Sequence, residues 1–399
     1  MSDLVTLRLR KNEERRLRAG HLWVYANEID TSTQPLASLP AGADCVVTDA
    51  GGKPLGRGLL SPHSLIALRL FSRQVQQNFD LAFVCARLAE AQALREALYP
   101  DHCYRLVFGE ADGLPGLVVD RFGDTLVVQT ATVGMEQRVP LLVEALAKVT
   151  GCANIILKND AGAREAEGLP LYVKAVQGEL PAQVTLTENG LTFKAPLAAG
   201  QKTGWFYDHR EARAKCYGLA KGRRVLDVFS YCGAWGVGAA VQGATEVTCV
   251  DASQTALDQV MENAALNGVA DKLTIHKGDA QQVMKQLLAA GEKFDLVVLD
   301  PPAFIKRKKD FKQGLNGYHQ INELALRLVQ PGGYLVSASC SMHLPTDELL
   351  KLMQSGARHV DRRLQVIGQV GQAADHPVHP AIPETRYLKS WFVRVLMNA

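Results

Sequence analysis

From about residue 191 the chain alternates short apolar runs with amphipathic segments, and this rhythm constrains its fold more than any other feature. Strands are predicted over Val225–Phe229, Glu246–Val250, Leu273–His276, Phe294–Leu299 and Gly333–Ser339. Helices are predicted at Gly236–Val241, Ser253–Asn267, Ala280–Ala290, Gln320–Leu328 and Thr346–Ala357, with Ser253 and Thr346 as N-caps. Two further apolar strands fall near Arg363–Gln369 and Leu388–Leu396. Parallel strands need a crossover about as long as a helix, so this alternation predicts a parallel sheet with helices on both faces. The expected fold class is α/β: a doubly wound, seven-stranded, Rossmann-like domain at the C-terminal end. Sheets of this kind bind ligands beyond the carboxyl ends of their strands.

Acidic residues recur at those ends. The first is Asp227 in "VLDVFSYCGAWG", followed by a loop with Gly233 and Gly236. The glycines let backbone N–H groups approach a ligand. The loop lacks G-x-G-x-x-G, which argues against a pyrophosphate and for a ligand carrying an ammonium group. Asp251 closes the second strand, at a spacing suited to ribose hydroxyls. Asp279 of "KGDA" closes the third, where an adenine amino group would lie, and Asp300 of Asp300-Pro301-Pro302 closes the fourth. One acid at a strand end commonly caps the next helix; four in succession point to a ligand. Together with their neighbours Phe229, Ser230, Tyr231, Ala252, Ala280 and Pro301, they form the candidate cofactor set. The set resembles class I S-adenosylmethionine (SAM)-dependent methyltransferases, which implies SAM as cofactor, S-adenosylhomocysteine (SAH) as product, and a last strand that runs antiparallel.

The fifth strand ends in "SASCSMH", with Cys340 at its centre. Carbon 5 of cytosine is too weak a nucleophile to attack a sulfonium methyl. A thiolate added to carbon 6 turns the ring into an enamine that can. An acid must then stabilise the charge at ring nitrogen 3, and a base must take the carbon-5 proton. Cys340 and Asp300, on neighbouring strand ends, are the candidate catalytic residues. Asp-Pro-Pro-aromatic would favour methylation of an amino group, but here Ala303 precedes Phe304.

The remainder of the chain divides into two smaller parts. Residues 1–73 read as a small all-β module, with short apolar segments between Gly and Pro turns and a charged helix at Asn12–Ala19. Residues 74–190 read as an α+β unit with helices at Leu81–Leu98 and Val139–Val149. The chain is 399 residues long with a net charge of +3, so any nucleic-acid contact must use local patches rather than overall charge. Lys306, Arg307 and Lys308, beside Asp300, form one such patch, and Lys202 and Trp23 are further candidates. Trp23 and Tyr25 also suit the core of a small barrel, and Glu110 and Asp112 suit a turn. None of the eight cysteines forms a C-x-x-C pair, so no zinc or other metal site is expected. No secretory signal or membrane span is expected, and the expected location is the cytoplasm.

"GHLWVYANEI", "YRLVFGEADGLPGLVVDRFGD", "QKTGWFYDHR", "DPPAF", "SCS" and "ADHP…YLK" together resemble bacterial large-subunit ribosomal RNA cytosine-5 methyltransferases of the methyltransferase I type. The resemblance runs the length of the chain. It implies a PUA domain over 1–73, a central EEHEAD domain over 74–190 and a methyltransferase domain over 191–399. It makes Cys340 the nucleophile and large-subunit ribosomal RNA the partner. It adds Phe206, Asp208 and Arg210, from the stretch that covers the cofactor. Ala303 stands where two-cysteine relatives carry a second cysteine, so the base for product release is unassigned. Oligomeric state stays open, a homodimer included. Two other readings stand beside this one: a guanine N-methyltransferase of ribosomal RNA, which needs no Cys340, and a non-catalytic RNA-binding assembly factor.

Overall fold

Apolar alternation in the first 72 residues yields strands Val5–Arg8, Trp23–Tyr25, Asp44–Thr48, Pro54–Leu60 and Ile66–Ser72. They form one sheet around Val24, Cys45, Val47, Leu60 and Leu68. The computed structural model describes residues 4–32, 35–197, 200 and 202–398; Gln201 of "QKTGWFYDHR" lies outside them. The charged helix is shorter than expected, Arg15–Arg18, because Asn12 adopts a left-handed backbone (φ 73°) that no α-helix accommodates. A second five-stranded sheet runs in sequence order through Cys103–Phe108, Leu117–Phe122, Thr125–Thr130, Asn154–Asn159 and Tyr172–Gln177. Its two longer helices are Leu81–Leu98, capped by the Asp80 side chain on Phe83 N, and Val139–Thr150, ended by Gly151 at φ 67°.

These sheets belong to one compact unit, the described residues up to Val184 with Pro196–Tyr207 and Ala374–Thr385. A second unit holds Thr185–Ala195, Asp208–Ala373 and the residues from Arg386 on. Its hairpin turns at Asn189-Gly190, both with positive φ (53° and 77°), the conformation favoured by tight two-residue hairpin loops.

The second unit is built on seven strands: β1 Arg224–Val228, β2 Glu246–Asp251, β3 Leu273–Lys277, β4 Phe294–Leu299, β5 Val329–Ser339, β6 Arg362–Val370 and β7 Lys389–Met397. Their order across the sheet is β3-β2-β1-β4-β5-β7-β6. The first five are parallel, and β7 is antiparallel to both neighbours. Six helices are α1 Arg210–Tyr217, α2 Ala234–Val241, α3 Gln254–Leu266, α4 Ala280–Ala289, α5 Phe311–Leu328 and α6 Thr346–His359. Leu226, Val228, Val297, Leu299, Tyr318, Leu326, Leu335 and Val393 share one core. The doubly wound α/β class expected from the sequence is the class observed.

Two local expectations are corrected. Helix α5 begins at Phe311, not Gln320. Gly314 and Gly317 in its first turns mask the helical pattern, glycine being a poor helix former. A Cβ on Gly314 would lie 2.3 Å from Ile305 Cγ1 and 2.9 Å from the Phe304 carbonyl oxygen, so glycine lets α5 sit directly on the loop after β4. Thr346 does not cap α6: Pro345 holds the N-cap position without a side-chain bond, and Asp347 and Glu348 complement the helix dipole instead. Ser253 does cap α3, its Oγ accepting from Ala256 N at 3.2 Å. Accordingly Ser253→Ala should destabilise the protein by about 1 kcal/mol in urea unfolding, and Thr346→Ala by less than about 0.5 kcal/mol.

Candidate active site

The parallel register sets the carboxyl ends of β1, β4 and β5 side by side, pairing Val228 with Leu299 and Leu299 with Ser337. The loop after β1 is bound over β2: Phe229 N and Ser230 N both donate to Val250 O, at 2.9 and 3.0 Å. Phe229 (φ 67°), Tyr231 (φ 46°) and Gly233 (φ 82°) are all left-handed. For the two aromatic residues that conformation costs on the order of 1–3 kcal/mol each, a cost that functional loops tolerate when their surroundings hold them. Asp251 supplies that hold. One of its oxygens accepts from Tyr231 N at 3.0 Å and the other from Ser253 N at 2.9 Å. Each carboxylate oxygen keeps a second lone pair for a ligand hydroxyl.

Asp227 is fully buried. Its Oδ2 accepts from Gly236 N at 2.9 Å, while Oδ1 has no hydrogen-bond partner among the described residues. Burial pushes this carboxyl up to about 8, Asp300 and Asp251 add to the effect, and the Gly236 N–H opposes it. A Cβ on Gly236 would lie 2.7 Å from Cys249 Sγ and 3.1 Å from Asp227 Oδ2, so this close approach requires glycine. An orphaned, desolvated acceptor calls for a cationic donor, and the ammonium end of SAM fits that requirement.

Asp279 is exposed and caps α4, its Oδ1 accepting from Gln282 N at 3.1 Å. Here the ordinary role of an acid at a strand end is the one the geometry displays. Ala280 and Pro301 are buried and Ala252 is exposed. Asp208 accepts from the Tyr387 hydroxyl, and Arg210 lies 4.0 Å from Glu188, which Arg213 grips with two bonds of 2.6 and 2.7 Å. Both expected cofactor residues are thus built into buried networks. Phe206 and Lys202 belong to the first unit, where the lysine ammonium lies 4.7 Å from the Phe206 ring centroid. Trp23 is also there, its indole N–H donating to Glu110 at 2.8 Å. Asp112 is clamped by buried Arg95 at 2.6 and 2.8 Å, a structural role. Lys306, Arg307, Lys308 and Lys309 are all exposed, and Arg307 is partly neutralised by Asp310.

Asp300 is held by two residues the sequence did not single out. His209 Nε2 lies 3.1 Å from one carboxylate oxygen, and Trp235 Nε1 donates to the other at 3.1 Å. Burial would raise the Asp300 carboxyl, but the imidazolium and the two hydrogen bonds outweigh it and lower it. Burial likewise opposes the proton on His209, yet Asp300 prevails and raises it. The pair therefore sits as imidazolium and carboxylate. "YDHR" carried the histidine in plain view; only the fold places it against Asp300.

The loop after β5 is pinned on both sides of Cys340. Ser339 and Ser341 each bond the Tyr318 hydroxyl of α5 at 2.8 Å. Ile305 N, from the loop after β4, donates to Ser341 Oγ at 3.1 Å, so the Asp300 and Cys340 loops are tied together. Lys389 Nζ donates to the carbonyls of Ser341 and Leu344. Cys340 itself is half-buried, whereas Cys45, Cys103, Cys152, Cys216, Cys232 and Cys249 are buried. Burial pushes the thiols of Cys45 and Cys232 up to about 12, so Cys232 in the cofactor loop is a packing residue.

Two outcomes follow. His209 stabilises the fold below its ordinary value near 6.5, a contribution lost as pH rises through its raised value; Asp300 stabilises it above the carboxylate range, a contribution lost as pH falls. His209→Gln should therefore cost about 3 kcal/mol between roughly pH 4 and 6.5, and less on either side, in unfolding at several pH values. The raised Asp227 carboxyl makes the folded state hold a proton that the unfolded chain releases, so its effect on stability declines from about pH 4 to 8. Calorimetry at pH 7 should detect proton release when SAM binds, and Asp227→Asn should abolish that release and weaken binding at least ~10-fold.

Residues 7–73 match the PUA-like domain family, and residues 173–383 match the S-adenosylmethionine-dependent methyltransferase family. A candidate SAM-dependent methyltransferase from Streptococcus mutans has the same fold, with a TM-score of 0.83 at 19% identity over 98% of this chain and 100% of that one. A methyltransferase structure solved with SAH superposes with a TM-score of 0.85 at 20% identity over the same shares. A protein of Yersinia pestis, the ribosomal RNA large subunit methyltransferase I, is 38% identical over 98% of this chain and 100% of its own length. With that identity sustained from end to end, and a sheet edge built to receive SAM, the chain belongs to the ribosomal RNA large subunit methyltransferase I family.

Proposed function

We propose that this SAM-dependent methyltransferase modifies carbon 5 of a cytosine in large-subunit ribosomal RNA through a covalent Cys340 adduct. The observation that carries the reading is the placement of a half-buried thiol on the strand end next to the one that carries Asp300, in a loop bonded to the Asp300 loop. Amino-group methylation would have no use for that thiol.

The Cys340 thiolate adds to carbon 6 of the base, and the electron pair moves to carbon 5. Asp300 faces the ring edge, kept ionised by His209 and Trp235. It accepts from the exocyclic amine and orients the ring, and the adjoining imidazolium offsets the charge that develops at nitrogen 3. SAM, when bound, supplies the electrophilic methyl on sulfur. The carbon-5 proton then passes to a base, Asp300 or a bound water, its C–H pair re-forms the ring double bond, and the thiolate leaves with the C6–S pair. Asp227 and Asp251 serve the amino-acid and ribose ends of SAM, and Asp279 its adenine end.

Functionally the chain divides into an RNA-holding part over 1–73, a central part over 74–190 and the methyltransferase over 191–399. Exposed Lys306, Arg307 and Lys308 carry RNA phosphates past Asp300. The name of the Yersinia relative supports ribosomal RNA as substrate. With methyl-labelled SAM and large-subunit RNA, the wild-type protein should label cytosine. Cys340→Ala should lose at least ~10³-fold in rate while still binding SAM. Full turnover by the alanine variant, or label on guanine, would remove the covalent mechanism.

A further inference from the structure

Lys389 opens β7 directly opposite Ser339, the last residue of β5. Its side chain is almost entirely buried, 4% exposed. The ammonium donates to Ser341 O at 2.6 Å and to Leu344 O at 2.7 Å, and so grips the loop just after Cys340. Among the described residues, no carboxylate lies within ion-pair distance of it. Burial pushes Lys389 down to about 8, and a negative charge on Cys340 would pull it back up.

A buried, unpaired ammonium is an expensive way to hold two carbonyl groups, because a neutral amide would do so without desolvating a charge. Two titratable groups from neighbouring elements bond this loop, the Tyr318 phenol from α5, on both flanking serines, and Lys389 from β7, while His343 lies in the loop itself. Burial pushes the phenol upward, so it brings no positive charge, whereas Lys389 brings an ammonium against the loop.

We propose that Lys389 is a positioning residue whose buried ammonium stabilises the Cys340 thiolate as well as fixing its loop. An ammonium has three donors, and the carbonyls of Ser341 and Leu344 take two. The thiol proton leaves to water, the ammonium keeps its own, and the thiolate gains a positive charge held beside its loop. The inference rests on Cys340 being the nucleophile, but it concerns the thiol's protonation and can be read without methyl transfer.

The experiment is iodoacetamide alkylation of the full-length protein from pH 6 to 10, with the Cys340 peptide quantified by mass spectrometry. In Lys389→Gln, which keeps an amide donor for the carbonyls, the alkylation midpoint should move up by about one pH unit, roughly tenfold less thiolate at neutral pH. Lys389→Met should move it as far, and Lys389→Arg should restore much of it. SAM affinity and unfolding, measured alongside, establish that each variant is folded. An unchanged midpoint in folded Lys389→Gln reduces the lysine to a loop pin and overturns the proposal. Should Lys389→Gln fail to fold, the wild-type protein decides: a midpoint at or above that of a free cysteine, about 8.5, overturns it equally. Failure of the nucleophile reading shows separately, as methyl transfer retained by Cys340→Ala with the alkylation shift intact.

Discussion

The parallel hydrogen-bonded register of β1, β4 and β5 is the constraint on which the candidate site depends. It sets three strand ends level, so that residues far apart in sequence become neighbours. Asp227 comes from one end, Asp300 from the next and Cys340 from the third. A slip of one residue in β5 would turn the side chains of Ser339 and Ser341 away from Tyr318 and undo the network that holds the thiol. The apolar runs of these strands, Leu226, Val228, Val297, Leu299 and Leu335, specify the register because they are buried between two layers of helices.

Burial of charge is the second theme. Asp300 and His209 compensate each other, so each is held in its charged form despite the surroundings. Among the described residues Asp227 has no imidazolium against it, one of its oxygens is unmatched, and burial drives it toward neutrality. Both carboxyl groups come from strand ends of one sheet, and their environments drive them in opposite directions. One is held as an anion by its neighbours, the other is pressed toward its neutral form by burial.

Much of this was legible in the sequence. The β/α alternation revealed the sheet and its seven strands, because apolar periodicity is a direct record of what lies inside. The helix start at Ser253 was legible for the same kind of reason, a local hydrogen bond written into local residues. Helix α5 was misjudged because Gly314 and Gly317 answer to contacts with Phe304 and Ile305, not to helix propensity. His209, Trp235, Tyr318 and Lys389 were missed for a deeper reason. Each meets its partner across a long stretch of chain, and neither the histidine in "YDHR" nor the lysine in "YLK" carries a local mark of its partner. Asp279 carries two signals at once: the pattern of acids suggested ligand contact, and the structure adds a helix cap on one of its oxygens.

The position of β7 has a consequence for how the protein matures. In the sheet it lies between β5 and β6, yet in the chain it follows both. As the polypeptide leaves the ribosome, Cys340 and β6 emerge before the strand that must separate them. Until β7 inserts, β6 has no neighbour to pair with and the cysteine loop lacks the lysine that grips it. That edge of the sheet is therefore closed by a late, long-range pairing. A newly made chain passes through a stage in which its cofactor strands are complete while its thiol stands in an unfinished pocket.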